Sequence, residues 1–230
     1  MISRSTLDSG FVASAGPWVT NSVSPSLGYC ELHVSITTFG GGAAPSSLAA
    51  SGAGLTWTAV NNVDNASALV SAWVLKGLGT GTPGTITITP TGGSSLKEAN
   101  YSVEDVGGTD TSAPVVQSVT GTAASANPQV LNLTLAALGD AANNAVFMAT
   151  GGGSTAAPGS GYTELTDSMN NVSLETQWKL PGTTTPSCTG DSPFFGQAGI
   201  AVELAAAPPS GDIIAPHRQG FPQWPSRLGA

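Results

Sequence analysis

The sequence predicts an all-β protein, an antiparallel β-sandwich of jelly-roll or immunoglobulin-like type. Three observations support this fold class. Apolar and polar residues alternate in several stretches, and clusters of Gly, Pro and Ser separate those stretches. Charged residues make up only 9% of the chain, against about a quarter in an average soluble domain. The 230 residues, 40% of them hydrophobic, suffice for a substantial core.

Alternation with a period of two identifies the expected strands. The alternating apolar residues are Cys30, Leu32, Val34 and Ile36; Ile86 and Ile88; Leu131, Leu133 and Leu135; and Val172, Leu174 and Trp178. These side chains are expected to face a core, with polar neighbours on the opposite face. The continuously apolar run 144–150 is typical of a strand covered on both faces. Residues 130–144 predict either a helix capped by Gly139 or a strand followed by a turn.

A weak internal repeat relates two parts of the chain. GLTWTAV, which begins at Gly54, is similar to GYTELTD, which begins at Gly161. SAWVLKG is similar to ETQWKLPG, and NYSVEDV is similar to GIAVELA. The three motifs keep the same order in segments of about 54–106 and 161–205. If the matches are not coincidental, this order predicts two similar β units packed face to face, as in a jelly roll.

The sandwich is expected to occupy residues 1–204, and a Pro-rich linker and an extended C-terminal arm to occupy 205–230. Prolines preclude a helix in the arm and stiffen an extended backbone. Aromatic and basic side chains would dock into pockets and onto acidic groups of a neighbouring subunit. The residues expected to bind this partner are His217, Arg218, Phe221, Trp224 and Arg227. A disordered linker, or a tail folded over its own domain, is the alternative.

The order of several motifs resembles a loosely defined group of β-sandwich proteins. The group is found among structural proteins of tailed bacteriophages and in some bacterial surface proteins. The motifs are GLTWTAV, a strand with a central Trp, GTITITP, NYSVEDVGGTDTSAPV, GSGYTELTD and GIAVELAA, within about residues 50–207. The resemblance implies a virion structural module, such as a head decoration, head-fibre or tail-associated protein, without catalytic residues. The C-terminal arm lies outside it.

The charge distribution argues against nucleic-acid and membrane roles. The net charge is −8, and the six basic residues are scattered, whereas a nucleic-acid groove needs clustered Lys and Arg. The first residues lack the apolar run of a secretory signal, and no later run is long enough to span a membrane. We therefore expect assembly in the host cytoplasm, no signal peptide, and a final location in the virion.

Few ionisable side chains are available for catalysis, so neither an enzyme activity nor a cofactor is predicted. His33 lies on the strand face opposite Cys30, and His217 lies in the arm. Each is interpreted as a solvated or satisfied histidine. Glu104 and Glu203 occupy matching positions of the repeat, but their valine neighbours are expected to point inward. Both carboxylates are therefore expected on a solvated strand face.

A calcium site is a weaker hypothesis. The EDVGGTD turn offers Glu104, Asp105 and Asp110 as oxygen ligands, and its glycines would let them converge. The turn lacks the full ligand spacing of a known calcium loop. Solvated charges are the simpler interpretation.

A sugar-stacking platform is a second weaker hypothesis. Trp57, Trp73 and Trp178 could present flat rings to a glycan. Core packing fits their strand positions better, because neighbouring apolar residues also point inward.

The two cysteines are expected to be unpaired. Cys30 lies on the apolar face of a strand, and Cys188 lies in a turn-like segment. A buried thiol and a loop thiol are favoured over a disulfide. Their number and spacing do not fit a zinc site.

The sequence thus predicts a capsid decoration, cement or head-fibre protein that assembles through its sandwich and its C-terminal arm. The expected partners are further copies of the chain, with a trimer favoured, and virion proteins such as the major capsid protein. A low content of charged residues suits a surface that partners cover. A carbohydrate-binding or host-adhesion module of a phage or bacterial surface protein is the alternative.

Overall fold

The computed structural model describes residues 1–38, 42–93, 96–152, 155–170, 172–190 and 196–208. These residues form sixteen strands, and every strand pairing is antiparallel. The predicted all-β, antiparallel sandwich is therefore confirmed. Within the described ranges, no helix has the length and hydrophobicity needed to cross a membrane.

The first half of the chain contains eight strands in two sheets. The strands are β1 (Ser3–Val12), β2 (Trp18–Val19), β3 (Tyr29–Thr38), β4 (Ser47–Gly52), β5 (Thr56–Asn65), β6 (Val70–Leu78), β7 (Ile86–Thr91) and β8 (Leu96–Gly107). The larger sheet has the order β1-β8-β3-β6-β5, and the smaller has the order β2-β7-β4. This is the strand order of a jelly roll whose fifth strand joins the larger sheet.

The second half repeats this arrangement strand for strand. Its strands are β9 (Val115–Ala123), β10 (Gln129–Asn132), β11 (Ala145–Gly152), β12 (Ala156–Pro158), β13 (Thr163–Asn170), β14 (Val172–Lys179), β15 (Ser187–Gly190) and β16 (Gln197–Leu204). The larger sheet has the order β13-β14-β11-β16-β9, and the smaller has the order β10-β15-β12. Strand n of the first half therefore corresponds to strand n + 8 of the second.

The sequence motifs fall on equivalent strands. The motifs that begin at Gly54 and Gly161 run into β5 and β13. The second pair lies in β6 and β14, and the third lies in β8 and β16. The structural unit is longer than the matched segments, because it covers residues 3–107 in one half and 115–204 in the other.

The two larger sheets pack face to face, and we call this contact the central seam. In it β8 lies against β14, β3 against β11, and β6 against β16, with β5 against β9 at one edge and β1 against β13 at the other. β6 corresponds to β14, and β8 corresponds to β16. Interchanging the two halves therefore converts the β8–β14 contact into the β6–β16 contact, and the reverse. The seam thus has the self-complementary pattern of a two-fold interface, within one chain.

Each of the three interfaces between packed sheets has its own hydrophobic cluster. The seam is filled by residues that include Tyr29, Val70, Ala72, Val74, Phe147, Ala149, Ile200 and Val202. The first sandwich is filled by residues that include Trp18, Leu32, Val34, Ile36, Trp73, Ile86 and Ile88. The second is filled by Leu131, Leu133, Met148, Ala156, Cys188 and Ala201. Both larger sheets are therefore covered on both faces.

The ambiguous segment 130–144 is a strand followed by turns. β10 ends at Asn132, and the chain continues without a helix to Asn144. The backbone N–H groups of Leu133 and Leu135 donate to the carbonyls of Pro186 and Thr184, at 2.9 and 2.8 Å. These bonds to a neighbouring segment replace the local bonds that a helix would have made.

Candidate functional site

The most concentrated set of ionisable side chains lies in the central seam. We call it the polar cluster; its members are Arg4, Tyr29, Glu31, His33 and Glu104. β1, β3 and β8 are adjacent in one sheet, and alternate residues of each point toward the seam. This alternation separates the cluster from Leu32 and Val34, which point into the first sandwich.

Glu31 is the centre of the polar cluster. Nη2 of Arg4 donates a hydrogen bond to Oε2 of Glu31, and the hydroxyl of Tyr29 donates to Oε1 at 2.9 Å. Nε2 of His33 lies 3.4 Å from both the Glu31 carboxylate and Nη2 of Arg4. The side chains of Arg4, Glu31 and His33 have no solvent exposure, so the ion pair is fully desolvated.

Phe147 of the second half covers the polar cluster. The guanidinium carbon of Arg4 lies 3.7 Å from the centre of the Phe147 ring. The imidazole of His33 lies 4.1 Å from the same centre, with the rings tilted by 36°. A cation against the face of an aromatic ring is a favourable contact, more so when water is excluded.

The electrostatics fix the charge states of the cluster. Burial alone would raise the pKa of Glu31, but the Arg4 charge and the hydrogen bonds from His33 and Arg4 lower it to about 2. Burial lowers the pKa of His33. Burial, the charge of Glu31 and the hydrogen bond to it raise the pKa of Tyr29. Glu31 is therefore ionised at neutral pH, and His33 and Tyr29 are neutral.

Glu104 extends the cluster toward the edge of the sheet, and its predicted position on a solvated face is wrong. Thr6 donates to the carboxylate at 2.9 Å, Ser102 donates at 2.6 Å, and Thr166 of the second half lies 3.0 Å from the Ser102 hydroxyl. Glu104 is completely buried. The valine neighbours do point the other way, but the second half covers the face that was expected to meet water.

Glu203 is also completely buried, so its predicted solvated position is wrong as well. It points away from the seam and accepts hydrogen bonds from the backbone of Gly139 (2.8 Å), Nδ2 of Asn144 (2.7 Å) and Nε2 of Gln117 (2.7 Å). These partners tie the segment before β11 to β9 and β16. Three donors on one carboxylate are typical of a structural anchor.

A further acid lies inside the second sandwich. Glu175 of β14 accepts a hydrogen bond from Thr150 at 3.2 Å, and its Oε1 has no hydrogen-bond partner. Burial raises the pKa of Glu175 to about 8, so the side chain is protonated at neutral pH. The adjacent Cys188 thiol lies 3.4 Å from the same Thr150 hydroxyl.

The proposed calcium ligands do not converge. Glu104 and Asp105 are consecutive in β8 and point to opposite faces of the sheet. Asp105 accepts hydrogen bonds from Ser26 and Leu27, and Asp110 accepts from Ser112. In the described ranges, no group of three His, Cys, Asp or Glu side chains could hold a metal ion.

The three tryptophans do not form a platform. Trp73 is buried in the first sandwich, and Trp57 packs at the border of the same cluster. Trp178 packs instead against the cluster of the central seam. The rings therefore belong to two different cores, as the core-packing interpretation predicts.

Both cysteines are free and buried. Cys30 faces the first sandwich, as expected, and burial raises its pKa. Cys188 was expected in a loop but lies in β15 with no exposed surface. Burial raises the pKa of Cys188 to about 12, so neither thiol is activated for chemistry.

The surface clefts near the end of the described chain offer little chemistry. Two adjoining clefts, of about 270 and 300 Å³, share Met1 and Asn143 in their walls. Asp140 is the sole acidic or basic side chain among their described lining residues. The five residues predicted to bind a partner, His217, Arg218, Phe221, Trp224 and Arg227, lie outside the described residues, as does the arm from residue 209 onward.

The most distinctive surfaces belong to the two smaller sheets, and we call their solvent sides the outer faces. The six strands of these sheets contain no Asp, Glu, Lys, Arg or His. On the first outer face the side chains are Val19, Ser47, Ala49, Ser51, Thr87, Thr89 and Thr91; on the second they are Val130, Asn132, Ala157, Ser187 and Thr189. Val19 and Val130 are about half exposed, at 54% and 47%.

Sequence reasoning missed Arg4, Phe147 and Glu175 as members of buried polar sites. A signal was present in β3, where Tyr29, Glu31 and His33 alternate with purely apolar residues. Such a polar face is usually solvated in an antiparallel sheet.

No family model, no curated protein and no solved structure matches the chain.

Proposed function

We propose that the chain is a non-enzymatic structural subunit of a virus particle, a capsid decoration, cement or head-fibre protein. Its outer faces and its C-terminal arm would bind further copies and neighbouring virion proteins such as the major capsid protein. The proposal keeps a homo-oligomer, with a trimer favoured, as the assembled form.

The absence of charge from both outer faces carries this proposal. Copies of a chain with a net charge of −8 repel one another. The outer faces are where two copies can approach without bringing like charges together. Hydroxyl, methyl and amide groups on a regular sheet also suit packing of sheet on sheet or exchange of hydrogen bonds across an interface.

The disposition of the ionisable groups supports a structural role over an enzymatic one. Glu31, Glu104 and Glu203 are buried and hydrogen-bonded to fixed partners in the protein. Their contacts hold strands and segments together, and the described walls of the two clefts near Met1 and Asn143 bring no acidic and basic side chains together. Jelly rolls occur in viral capsid proteins and in lectins, but the packing of Trp57, Trp73 and Trp178 into cores does not favour the carbohydrate-binding alternative.

Charged substitutions on the outer faces test the proposed assembly. Thr89→Lys and Thr189→Lys place a charge on β7 and β15, the middle strands of the two smaller sheets. We expect one or both to reduce the native mass of the full chain, measured by sedimentation velocity, toward that of a monomer. Thr163→Lys, at an exposed position of β13, is the matched control and should leave the mass unchanged. A wild-type chain that remains monomeric at the highest attainable concentration would contradict the proposal.

Truncation tests the contribution of the arm. A chain ending at Pro208 retains all sixteen strands and is expected to fold but not to assemble or bind particles. Circular dichroism and sedimentation velocity measure the two properties separately. Normal assembly of the truncated chain would show that the arm is dispensable. Mass spectrometry of purified particles tests the virion location, since the chain should be among their proteins.

A further inference from the structure

The charges of the polar cluster belong to one side of the central seam. Arg4, Glu31, His33 and Glu104 are all on strands of the first half. The second half adds the Phe147 ring and hydroxyl groups such as that of Thr166. The residues of β11, β14 and β16 that face the seam are apolar or carry a hydroxyl. The second half is therefore a cover that removes a charged network from water.

The hydrogen bonding of His33 is suited to a neutral ring. Nε2 lies 3.4 Å from Nη2 of Arg4, and a guanidinium can only donate hydrogen bonds. Nε2 lies equally close to the Glu31 carboxylate, which can only accept. Nδ1 has no hydrogen-bond partner, so a doubly protonated ring would leave a buried N–H without an acceptor. A second proton would place two cations against each other without water. The negative charge of Glu31 does not compensate fully, because Arg4 already neutralises it.

All titratable side chains on the seam-facing side of the first larger sheet affect the protonation of His33. They are Arg4 on β1, Tyr29, Glu31 and His33 on β3, Lys76 on β6, and Glu98 and Glu104 on β8. Lys76 is only partly buried, so water screens it, and Glu98 pairs with Thr37, four residues along β3 from His33. No titratable side chain of β11, β14 or β16 faces His33 across the seam. His33 is thus the group on this face whose ordinary pKa lies just below neutral pH, so it is the group that takes up a proton there when the seam is open.

We propose that the central seam is a proton-sensitive joint: uptake of a proton by His33 favours separation of the two jelly rolls, while each keeps its own core. Separation would expose the polar cluster to water, where an imidazolium beside Arg4 is tolerated. The interior clusters of the two sandwiches do not depend on the seam, since each lies between a larger sheet and its own smaller sheet.

The direction of the pH effect follows from linkage. Burial is the main cause that lowers the pKa of His33 below its ordinary value of 6.5. The opened form therefore binds more protons than the closed form below that value, and the seam loses stability as the pH falls. If the closed form stays neutral, the opened fraction rises about eightfold between pH 7 and pH 5.5. Glu31, whose pKa in the closed form is about 2, adds to this loss only at pH values near and below its ordinary value of 4.5.

A cysteine placed in the seam detects opening. Ala149 is 1% exposed and belongs to the seam cluster, so we choose Ala149→Cys as the reporter in the full chain. Its reaction with 4,4′-dithiodipyridine is measured at pH 7 and pH 5.5, and each rate is divided by the rate in denaturant at the same pH. Cys30 and Cys188, buried in the two sandwiches, are internal controls for global unfolding. Peptide mass spectrometry assigns the labelled thiols.

We expect the reporter to react about five to ten times faster at pH 5.5, with Cys30 and Cys188 still protected. In a chain that also carries His33→Gln, which cannot take up a proton, the ratio should fall below about two. Equal pH ratios with and without His33→Gln would overturn the proposal. Labelling of all three thiols in step would also overturn it, because the whole chain would then be unfolding. Ala72→Cys, on the opposite side of the seam, replaces the reporter if Ala149→Cys does not fold.

Discussion

Arg4 of the first half stacks on Phe147 of the second, with 3.7 Å between the guanidinium carbon and the ring centre. The arginine is paired with Glu31 within its own sheet, so the ring closes an ion pair that would otherwise meet water. This one contact therefore contributes to both the packing and the electrostatics of the seam. Its contribution to the free energy of unfolding can be measured by replacing either Phe147 or Arg4.

Replacement of Phe147 tests the packing side. Phe147→Ala leaves a cavity beside Arg4 and His33 and should lower the free energy of unfolding by about 3–5 kcal/mol. Urea unfolding measures the change. Met169→Ala, at a 58% exposed position, should change it by no more than about 0.5 kcal/mol. Similar values for the two variants would mean that the ring contributes little to the seam.

Replacement of Arg4 tests the electrostatic side. Arg4→Met leaves the Glu31 carboxylate buried without its main partner, which should cost about 3–5 kcal/mol. The double variant Arg4→Met/Glu31→Gln removes both charges and should be more stable than Arg4→Met alone. A double-mutant cycle at pH 7 measures the coupling. Additive effects of the two single changes would show that the pair is not coupled.

Glu175 should make stability fall as the pH rises. Burial raises its pKa from 4.5 to about 8, so the folded chain retains a proton that the unfolded chain loses above pH 4.5. This difference lowers the free energy of unfolding by up to about 1.4 kcal/mol per pH unit up to pH 8, and not further above it. Glu175→Gln should remove that slope in urea unfolding between pH 6.5 and 8, above the range in which an unfolded His33 takes up a proton. Asp140→Asn, at an exposed position away from Glu175, should retain it.

Cleavage between the halves should not separate them. The connection runs from Gly108 to Pro114, and the backbone of Asp110 within it donates to the carbonyl of Ala205 at 3.0 Å. A protease site inserted at the exposed Ser112 allows a cut in the folded protein. Because the seam is extensive and contains a large hydrophobic cluster, both fragments should co-elute in gel filtration at pH 7. Elution as two separate fragments would show that the covalent connection is needed to hold the seam.

Much of the fold could be predicted because alternation is a local property. The inward set of β3, from Cys30 to Ile36, lines the first sandwich, and Ile86 and Ile88 lie opposite it. The three motif pairs fall on equivalent strands, because each records the same alternation and turn chemistry in both halves. The favoured interpretation of Cys30 and Cys188 as free thiols is also confirmed, although Cys188 lies in a strand and not in the expected loop.

The candidate site could not be predicted in the same way. Arg4 and Phe147 are separated by more than half of the chain, and no local pattern links them. Glu104 and Glu203 were assigned to solvent because a polar strand face usually meets water. Nothing within β8 or β16 records which segment covers that face.

The sequence by itself determined the all-β class, the alternation of side chains in strands such as β3, β7 and β14, and the low content of charged residues. Those features depend on side chains one or two residues apart, and on composition. Tertiary structure alone decided that the polar face of the first larger sheet would meet the second half of the chain instead of water. That outcome depends on how two sheets distant in sequence pack together, and it turns side chains suited to a surface into a buried ionic network.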